Sequence, residues 1–332
     1  MHSVDVIVPC YRYAHFLAEC VESVLSQEGV SVRVLIIDDA SPDNTEEIGR
    51  MLARLDARVS FHRHAVNRGH IATYNEGIEW SSADHVLLLS ADDYLLPDAL
   101  GHASRLLEKV PSLGFVFGEA LILHPDGSTE AVRPFPGCTG GEMVMTGAEF
   151  IRRSGASNMV PTPSAVVRTE LQKRAGGYRA ELPHSGDMEM WLRLASFADV
   201  GFIARPQAVY RRHEANMSLA YARDYLLSDL QQRRAALFTF FATGAAPLAS
   251  DVRLQGSLLR SLALQAVGRA SMAFNDGDLA GSEALRSFAS DTWPAVRRSP
   301  AWMRLSAKRL LGAQNLQRMR SARATLLRRT EP

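Results

Sequence analysis

Two adjacent carboxylates, Asp92 and Asp93, follow an unbroken apolar run from Val86 to Leu89. Hard oxygen ligands at such a position suit Mg²⁺ or Mn²⁺, which keep coordination positions open for substrate phosphates. A second acidic pair, Asp38-Asp39, ends another apolar run, Val32 to Ile37. Open α/β folds bind ligands beyond the carboxyl ends of their strands, where both pairs would lie. An Asp-Asp pair ahead of a helix also serves as a cap and turn, and the pair alone fits either reading.

The elements needed to position these acids alternate along the first hundred residues. Val4 to Pro9 reads as a β-branched strand stopped by proline. Phe16/Leu17, Cys20/Val21 and Val24/Leu25 recur at helical spacing over 14–27. After the 32–37 strand, Ser41 to Glu47 opens a helix carrying Ile48, Leu52 and Leu55. A short strand at Val59 to His62 follows, then a polar segment from Asn67 to Gly77 leading into a helix, then the 86–89 strand, with Pro97 at a first helical position. This alternation predicts a parallel sheet with right-handed crossovers.

Further on, 114–123 reads as a strand, 124–127 as a turn, Thr146 with Glu149 as a capping box, 161–168 as a strand and 187–197 as a helix. Beyond Ser218 the chain turns helical. Leu226, Leu230, Leu237 and Phe241 mark one helix and Leu258, Leu262 and Ala266 another, which Asn275 to Asp278 breaks before a shorter helix through Leu285.

Of 332 residues, 46% are hydrophobic and 22% charged, values typical of a soluble globular protein with room for two domains. No apolar run approaches the roughly 20 residues of a membrane span, and no signal peptide is recognised. Three cysteines, Cys10, Cys20 and Cys138, form no metal spacing and no even disulfide set, which predicts a reducing cytoplasmic setting. No feature points to nucleic acid. The net charge of +1 conceals an asymmetry: residues 297–329 hold ten Arg or Lys and no acid, while 1–296 carry a net of −8.

Several spaced segments resemble family 2 glycosyltransferases of the GT-A fold. They are Val6 to Tyr11, Ile36 to Ser41, Asn67-Arg68-Gly69, Asn75-Glu76-Gly77 and Leu89 to Asp93 with Pro97. The match continues through Gly176-Gly177-Tyr178, Gly186 to Arg193 and Tyr210 to Ser218. The order and spacing of these pieces carry the resemblance, which covers roughly 3–218. It implies a Rossmann-like, mostly parallel sheet flanked by helices. The GT-A domain would span 1–218, with a nucleotide-sugar half at about 1–98 and an acceptor half at about 99–218. A helical C-terminal region, 219–332, would follow.

The resemblance also implies roles. Tyr11 would stack on the base, the Pro9 backbone would line the pocket, and Asp39 would accept a hydrogen bond from a base imino group. A uracil or thymine ring requires that combination of aromatic face and acceptor. Asp92 would bind the divalent ion, Mn²⁺ or Mg²⁺, with Asp93 beside it and His213 as a further ligand. Arg211 and Arg212 would meet phosphate oxygens. Asp187 would be the base, with Glu189 as fallback. Three positions depart from the family pattern. Ser90 stands where an aspartate usually binds ribose, Gly186 where a glutamate precedes the base, and Tyr74 where an arginine meets the diphosphate, a contact that Arg68 or His70 would replace.

The expected activity is inverting, metal-dependent transfer from a UDP- or dTDP-linked sugar to a hydroxyl of a glycan or lipid-linked glycan in surface polysaccharide or glycoconjugate synthesis. A non-catalytic nucleotide-sugar binder is the alternative. A sugar-nucleotide pyrophosphorylase would need a Gly-rich loop after the first strand, where Pro9-Cys10-Tyr11-Arg12-Tyr13 stands, and a dehydrogenase would need Gly-x-Gly-x-x-Gly after a strand. In the basic tail, Trp302-Met303, Leu310-Leu311, Leu316, Met319, Ala322 and Leu326-Leu327 recur at roughly helical intervals among the arginines. Such a segment can lie peripherally on an anionic leaflet, on the inner face of the cytoplasmic membrane, or pack on the acidic body. Sedimentation with anionic against neutral liposomes separates these outcomes: a chain shortened to Asp291 should lose binding, and equal recovery of both chains in the supernatant excludes membrane contact.

Overall fold

The structure, a computed structural model, describes residues 2–138, 140–221, 224–242 and 246–312. Most of the basic tail, from residue 313 on, lies outside the described residues. Strand and helix alternate as β1 (Ser3–Cys10), α1 (Ala14–Leu25), β2 (Ser31–Asp38), α2 (Thr45–Leu55), β3 (Val59–Arg63), α3 (His70–Trp80) and β4 (His85–Leu88). These four strands pair in parallel in the order β3-β2-β1-β4. Val4, Val6, Ile7 and Val8 of β1 are completely buried, because helices cover both faces of the sheet. Gly77 lets α3 approach β1 closely, since a Cβ there would stand 2.2 Å from a methyl of Ile7.

The second half contributes β5 (Tyr94–Leu95), α4 (Ala99–Lys109), β6 (Leu113–Leu123), β7 (Thr129–Val132), β8 (Glu142–Met145), α5 (Gly147–Ser154), β9 (Val166–Arg168), α6 (Thr169–Ala175), α7 (Gly186–Ala195) and β10 (Asp199–Arg211). The sheet continues β4-β9-β6-β10-β5, with β7 on β6 and β8 on β10. β9 runs antiparallel to both β4 and β6, whereas β6 and β10 are parallel. The sheet is therefore parallel from β1 to β4 and mixed beyond them.

Pro97 does not open α4. Tyr94 and Leu95 pair with β10, and Leu96 still donates to the Gln207 carbonyl, so the chain stays extended. The helix begins at Ala99 after Asp98 takes a left-handed turn at φ 61°. Buried Gln27 fastens this junction, donating to the Leu96 carbonyl and accepting the Leu100 N–H. At α5 the capping box is half made: Thr146 Oγ1 accepts the Glu149 N–H, while the Glu149 carboxylate turns to Arg153. The 161–168 stretch splits into a 3₁₀ turn at Thr162–Ser164 and the short β9, because Pro163 has no N–H for a strand ladder.

Two compact units emerge. Among the described residues, one comprises 2–138, 140–154, 158–216, 239–242 and 246–250; the other comprises 155–157, 217–221, 224–238 and 251–312. α8 spans Leu227–Ala242. The second unit is built on α9 (Val252–Asn275), against which α10 (Leu279–Thr292) and α11 (Pro300–Leu311) pack. Asp251 caps α9 by accepting from the Arg253 and Leu254 amides, and Leu258, Leu262 and Ala266 form its buried stripe. Gly277, at φ 87°, makes the turn into α10. No helix among the described residues is long and apolar enough to cross a membrane.

Candidate active site

Beyond β4, the Leu89 amide bonds the Ile7 carbonyl and the Ala91 amide bonds the Pro9 carbonyl. The chain thus follows β1 to its end before Asp93 N–H turns back onto the Ser90 carbonyl. That path delivers Asp92 and Asp93 to the carboxyl edge of the sheet with 5% and 3% of their surface exposed. From the loop after β10, His213 places Nε2 3.1 Å from Asp92 Oδ2, and Asn216 donates to the same oxygen at 3.3 Å. The imidazole lies against the Tyr13 and Phe16 rings, at 5.3 and 5.4 Å between centroids, and Asn216 Oδ1 accepts the backbone N–H of His213, which fixes the loop that carries it.

Asp93 Oδ1 accepts the Arg211 N–H, so this carboxylate fastens the end of β10. The Arg211 side chain donates to the Asp92 carbonyl and to Glu19, and lies over the Phe16 ring. Its guanidinium holds the two loops together. Arg212 is exposed, and its backbone N–H is anchored on the Leu123 carbonyl.

Burial raises the pKa of Asp92, opposed by His213, and raises that of Asp93 well above the ordinary carboxylate range with help from the Asp92 charge. The fold therefore leaves negative charge undercompensated where a carboxylate oxygen and an imidazole nitrogen converge. That donor set fits Mn²⁺ or Mg²⁺.

Asp187 lies in the first turn of α7, where its Oδ2 accepts the Thr162 hydroxyl at 2.8 Å. Burial raises its pKa, while Thr162, His70 and His184 pull the other way. Tyr74 senses both acidic centres. Burial and the charges of Asp187 and Asp92 push its phenol upward, and Ser90 hydrogen-bonds it. Asn75 clamps Tyr178 through two bonds, Nδ2 to its carbonyl and Oδ1 from its amide, which ties α3 to the segment before α7. Glu189 is completely buried and gives both oxygens to Arg193, at 3.0 and 2.6 Å. Arg193 also donates to the Ala175 and Gly177 carbonyls, so the pair holds the chain around Gly176.

At the ends of β1 and β2, Cys10 and Asp38 stand in register, so Tyr11 and Asp39 follow side by side. Tyr11 is 43% exposed. The Asp39 carboxylate accepts from His64 Nδ1 and from the Arg68 and Gly69 amides. It thereby shapes the turn between β3 and α3. Arg68 reaches Glu76 at 2.9 Å.

Sequence reasoning missed Thr162, Glu19 and the Asp92 contact of Asn216, because each acts on a partner remote in sequence. It also passed over His62 and His64, although their i, i+2 spacing on a strand places both side chains on one face.

Residues 5–118 match the glycosyl transferase family 2 sequence model. An uncharacterised Mycobacterium tuberculosis protein is 29% identical over 64% of this chain and 67% of its own length. Chondroitin synthase of Pasteurella multocida is 25% identical over 58% of this chain, and the match spans only 19% of that enzyme. Among solved structures, S. aureus TarS 1-349 in complex with UDP-GlcNAc superposes with a TM-score of 0.56 at 16% identity, covering 90% of this chain and 91% of its own. A Pyrobaculum calidifontis mannosyltransferase in complex with GDP-Man and Mn²⁺ gives 0.52 at 18% identity over 94% and 86%.

Proposed function

We infer that this chain, which belongs to glycosyltransferase family 2 and has the GT-A fold, moves a sugar from a nucleoside-diphosphate donor to an acceptor hydroxyl with inversion. The observation that carries the reading is the convergence of Asp92 and His213 at the sheet edge, with the Tyr74 phenol under the influence of both Asp92 and Asp187. On this reading the transferase domain runs to about residue 218 and the helical region follows it.

Tyr11 stacks on the base, and Asp39 offers its remaining lone pair to the imino group, which suits a UDP- or dTDP-linked sugar. The Pro9 backbone lines that pocket, and Ser90 stands near the ribose. Asp92 and His213 would hold a divalent ion, with Asp93 beside them. When bound, that ion offsets charge developing on the departing diphosphate. Arg212 and Arg68 are the exposed cations assigned to phosphate oxygens, since Arg211 already serves the protein's own loops.

Asp187 performs the proton transfer. Thr162 fixes Oδ2, which leaves Oδ1 to accept the acceptor's hydroxyl proton. The acceptor oxygen bonds to the anomeric carbon as the carbon–oxygen bond to the diphosphate breaks on the opposite face. One displacement without a sugar–enzyme bond inverts the configuration. A raised pKa makes Asp187 a stronger base than an ordinary carboxylate. The likeness to chondroitin synthase supports a growing polysaccharide or glycoconjugate as acceptor.

Purified protein incubated with a panel of nucleotide sugars and glycan acceptors should release nucleoside diphosphate only when Mn²⁺ or Mg²⁺ is supplied. A chain that binds nucleotide sugars yet releases nothing with any acceptor is a binding protein, and the transferase reading then fails.

A further inference from the structure

A second group of ligating side chains lies away from the active-site acids. His62 near the end of β3 and His64 just beyond it meet Glu76 of α3. The potential ligand atoms all lie within 4.8 Å of one another. His62 Nδ1 is 2.5 Å from Glu76 Oε1, and His64 Nε2 is 2.9 Å from Glu76 Oε2. Three strand spacings separate β3 from β4 in the sheet, about 14 Å, so this group is separate from Asp92 and His213.

The orientation of His64 is the informative feature. Its side chain is only 2% exposed, and Nδ1 is 2.7 Å from Asp39 Oδ1. A carboxylate at that distance accepts a hydrogen bond from Nδ1–H, and in that tautomer the Nε2 lone pair faces Glu76. This is the carboxylate–histidine arrangement that supports metal-binding imidazoles. Two acceptors then face each other at 2.9 Å unless a proton or a metal cation lies between them. His62 repeats the juxtaposition from the solvent side, with a side chain that is 55% exposed.

We propose that His62, His64 and Glu76 form a binding site for a transition-metal ion of the Zn²⁺ class, with Asp39 orienting His64. Two imidazole nitrogens and one carboxylate oxygen, with an open position towards solvent, are a zinc-type donor set. The one opposing feature is Arg68, whose Nη1 lies 2.9 Å from Glu76 Oε2. Its side chain is half exposed, so an incoming cation can displace it into water at little cost. Displacement would also release Arg68 towards the nucleotide pocket, linking occupancy of the site to donor binding. The site itself does not depend on the transferase reading.

The test uses the full chain stripped with chelator and titrated with Zn²⁺ by calorimetry and equilibrium dialysis, with Mg²⁺ in excess. Wild-type protein and Asp92→Asn should each retain one tight equivalent. His62→Gln, a substitution at an exposed position, should bind about tenfold more weakly or worse. Co²⁺ in place of Zn²⁺ should give visible ligand-field absorption that the same substitution removes. The proposal is overturned by a wild type that retains no Zn²⁺, by a His62→Gln protein that binds as wild type does, or by loss of the equivalent in Asp92→Asn alone. In the first two cases the cluster is an ion-pair network, and in the third the metal sits at Asp92.

Discussion

Asp187→Asn should leave nucleotide binding intact and lower transfer by about two to four orders of magnitude. The amide matches the carboxylate in shape and can still accept the Thr162 hydroxyl, so the start of α7 is preserved. Only the proton acceptor is lost. Isothermal titration with nucleoside diphosphate, alongside turnover, separates the outcomes. Loss of binding would put Asp187 in the donor site, and retained turnover would put the base elsewhere. Because burial raises the Asp187 pKa, the acid limb of the wild-type rate profile should lie above the ordinary aspartate range, and the variant should lack that limb. Glu189→Gln is the contrasting control. It leaves buried Arg193 without its partner charge, a change that costs about 3–5 kcal/mol, so melting temperature should fall sharply.

Asp92→Asn should nearly abolish turnover and remove stabilisation by Mn²⁺ without unfolding the protein. Asp92 and Asp93 both have raised pKa values in the fold. The stability each contributes is fully present below the unfolded-state pKa and lost as pH rises through the raised folded-state value. Ionising these buried groups in the metal-free protein is therefore unfavourable, and a bound divalent cation relieves that cost. With asparagine at 92, the metal-free protein should melt at the same temperature or higher, its stability should fall less as pH rises above the ordinary aspartate range, and added Mn²⁺ should do little. Melting curves in EDTA and in Mn²⁺ across that range supply the measurement. Equal protection of both proteins by Mn²⁺, or full wild-type turnover in EDTA, would exclude Asp92 as a ligand.

The legibility of this chain follows burial. β1, β2 and β4 could be read directly because they are covered on both faces and retain continuous apolar runs. β10 could not. Gly201, Arg205, Pro206 and Gln207 interrupt it, and its register against β6 shifts on both sides of Pro206, so neither alternation nor a continuous run survives. β5 was hidden for another reason: two residues make no pattern, and only pairing with Val209 and Ala208 defines it. In the site, residue types suggested Asp92 as a ligand position, and the family pattern suggested His213. Their 3.1 Å separation depends on sheet order, which no local pattern encodes. The Arg211 contacts were equally hidden. An arginine beside expected phosphates reads as a phosphate ligand until Glu19, the Asp92 carbonyl and the Phe16 ring are seen around it.

The placement of β9 also bears on how the chain is made. Val86 and Leu87 of β4 find their second neighbours only in Val167 and Val166, nearly 80 residues later. At ribosomal speeds of 5–20 residues per second, that interval is about 4–16 s. The strands β1, β2 and β3 can zip together as they emerge, but β4 would remain an unpaired apolar border during that wait. Such a border is a template for pairing with a neighbouring nascent chain, so crowding on a polysome is a point of vulnerability for this protein, and slow elongation through residues 89–168 would lengthen it.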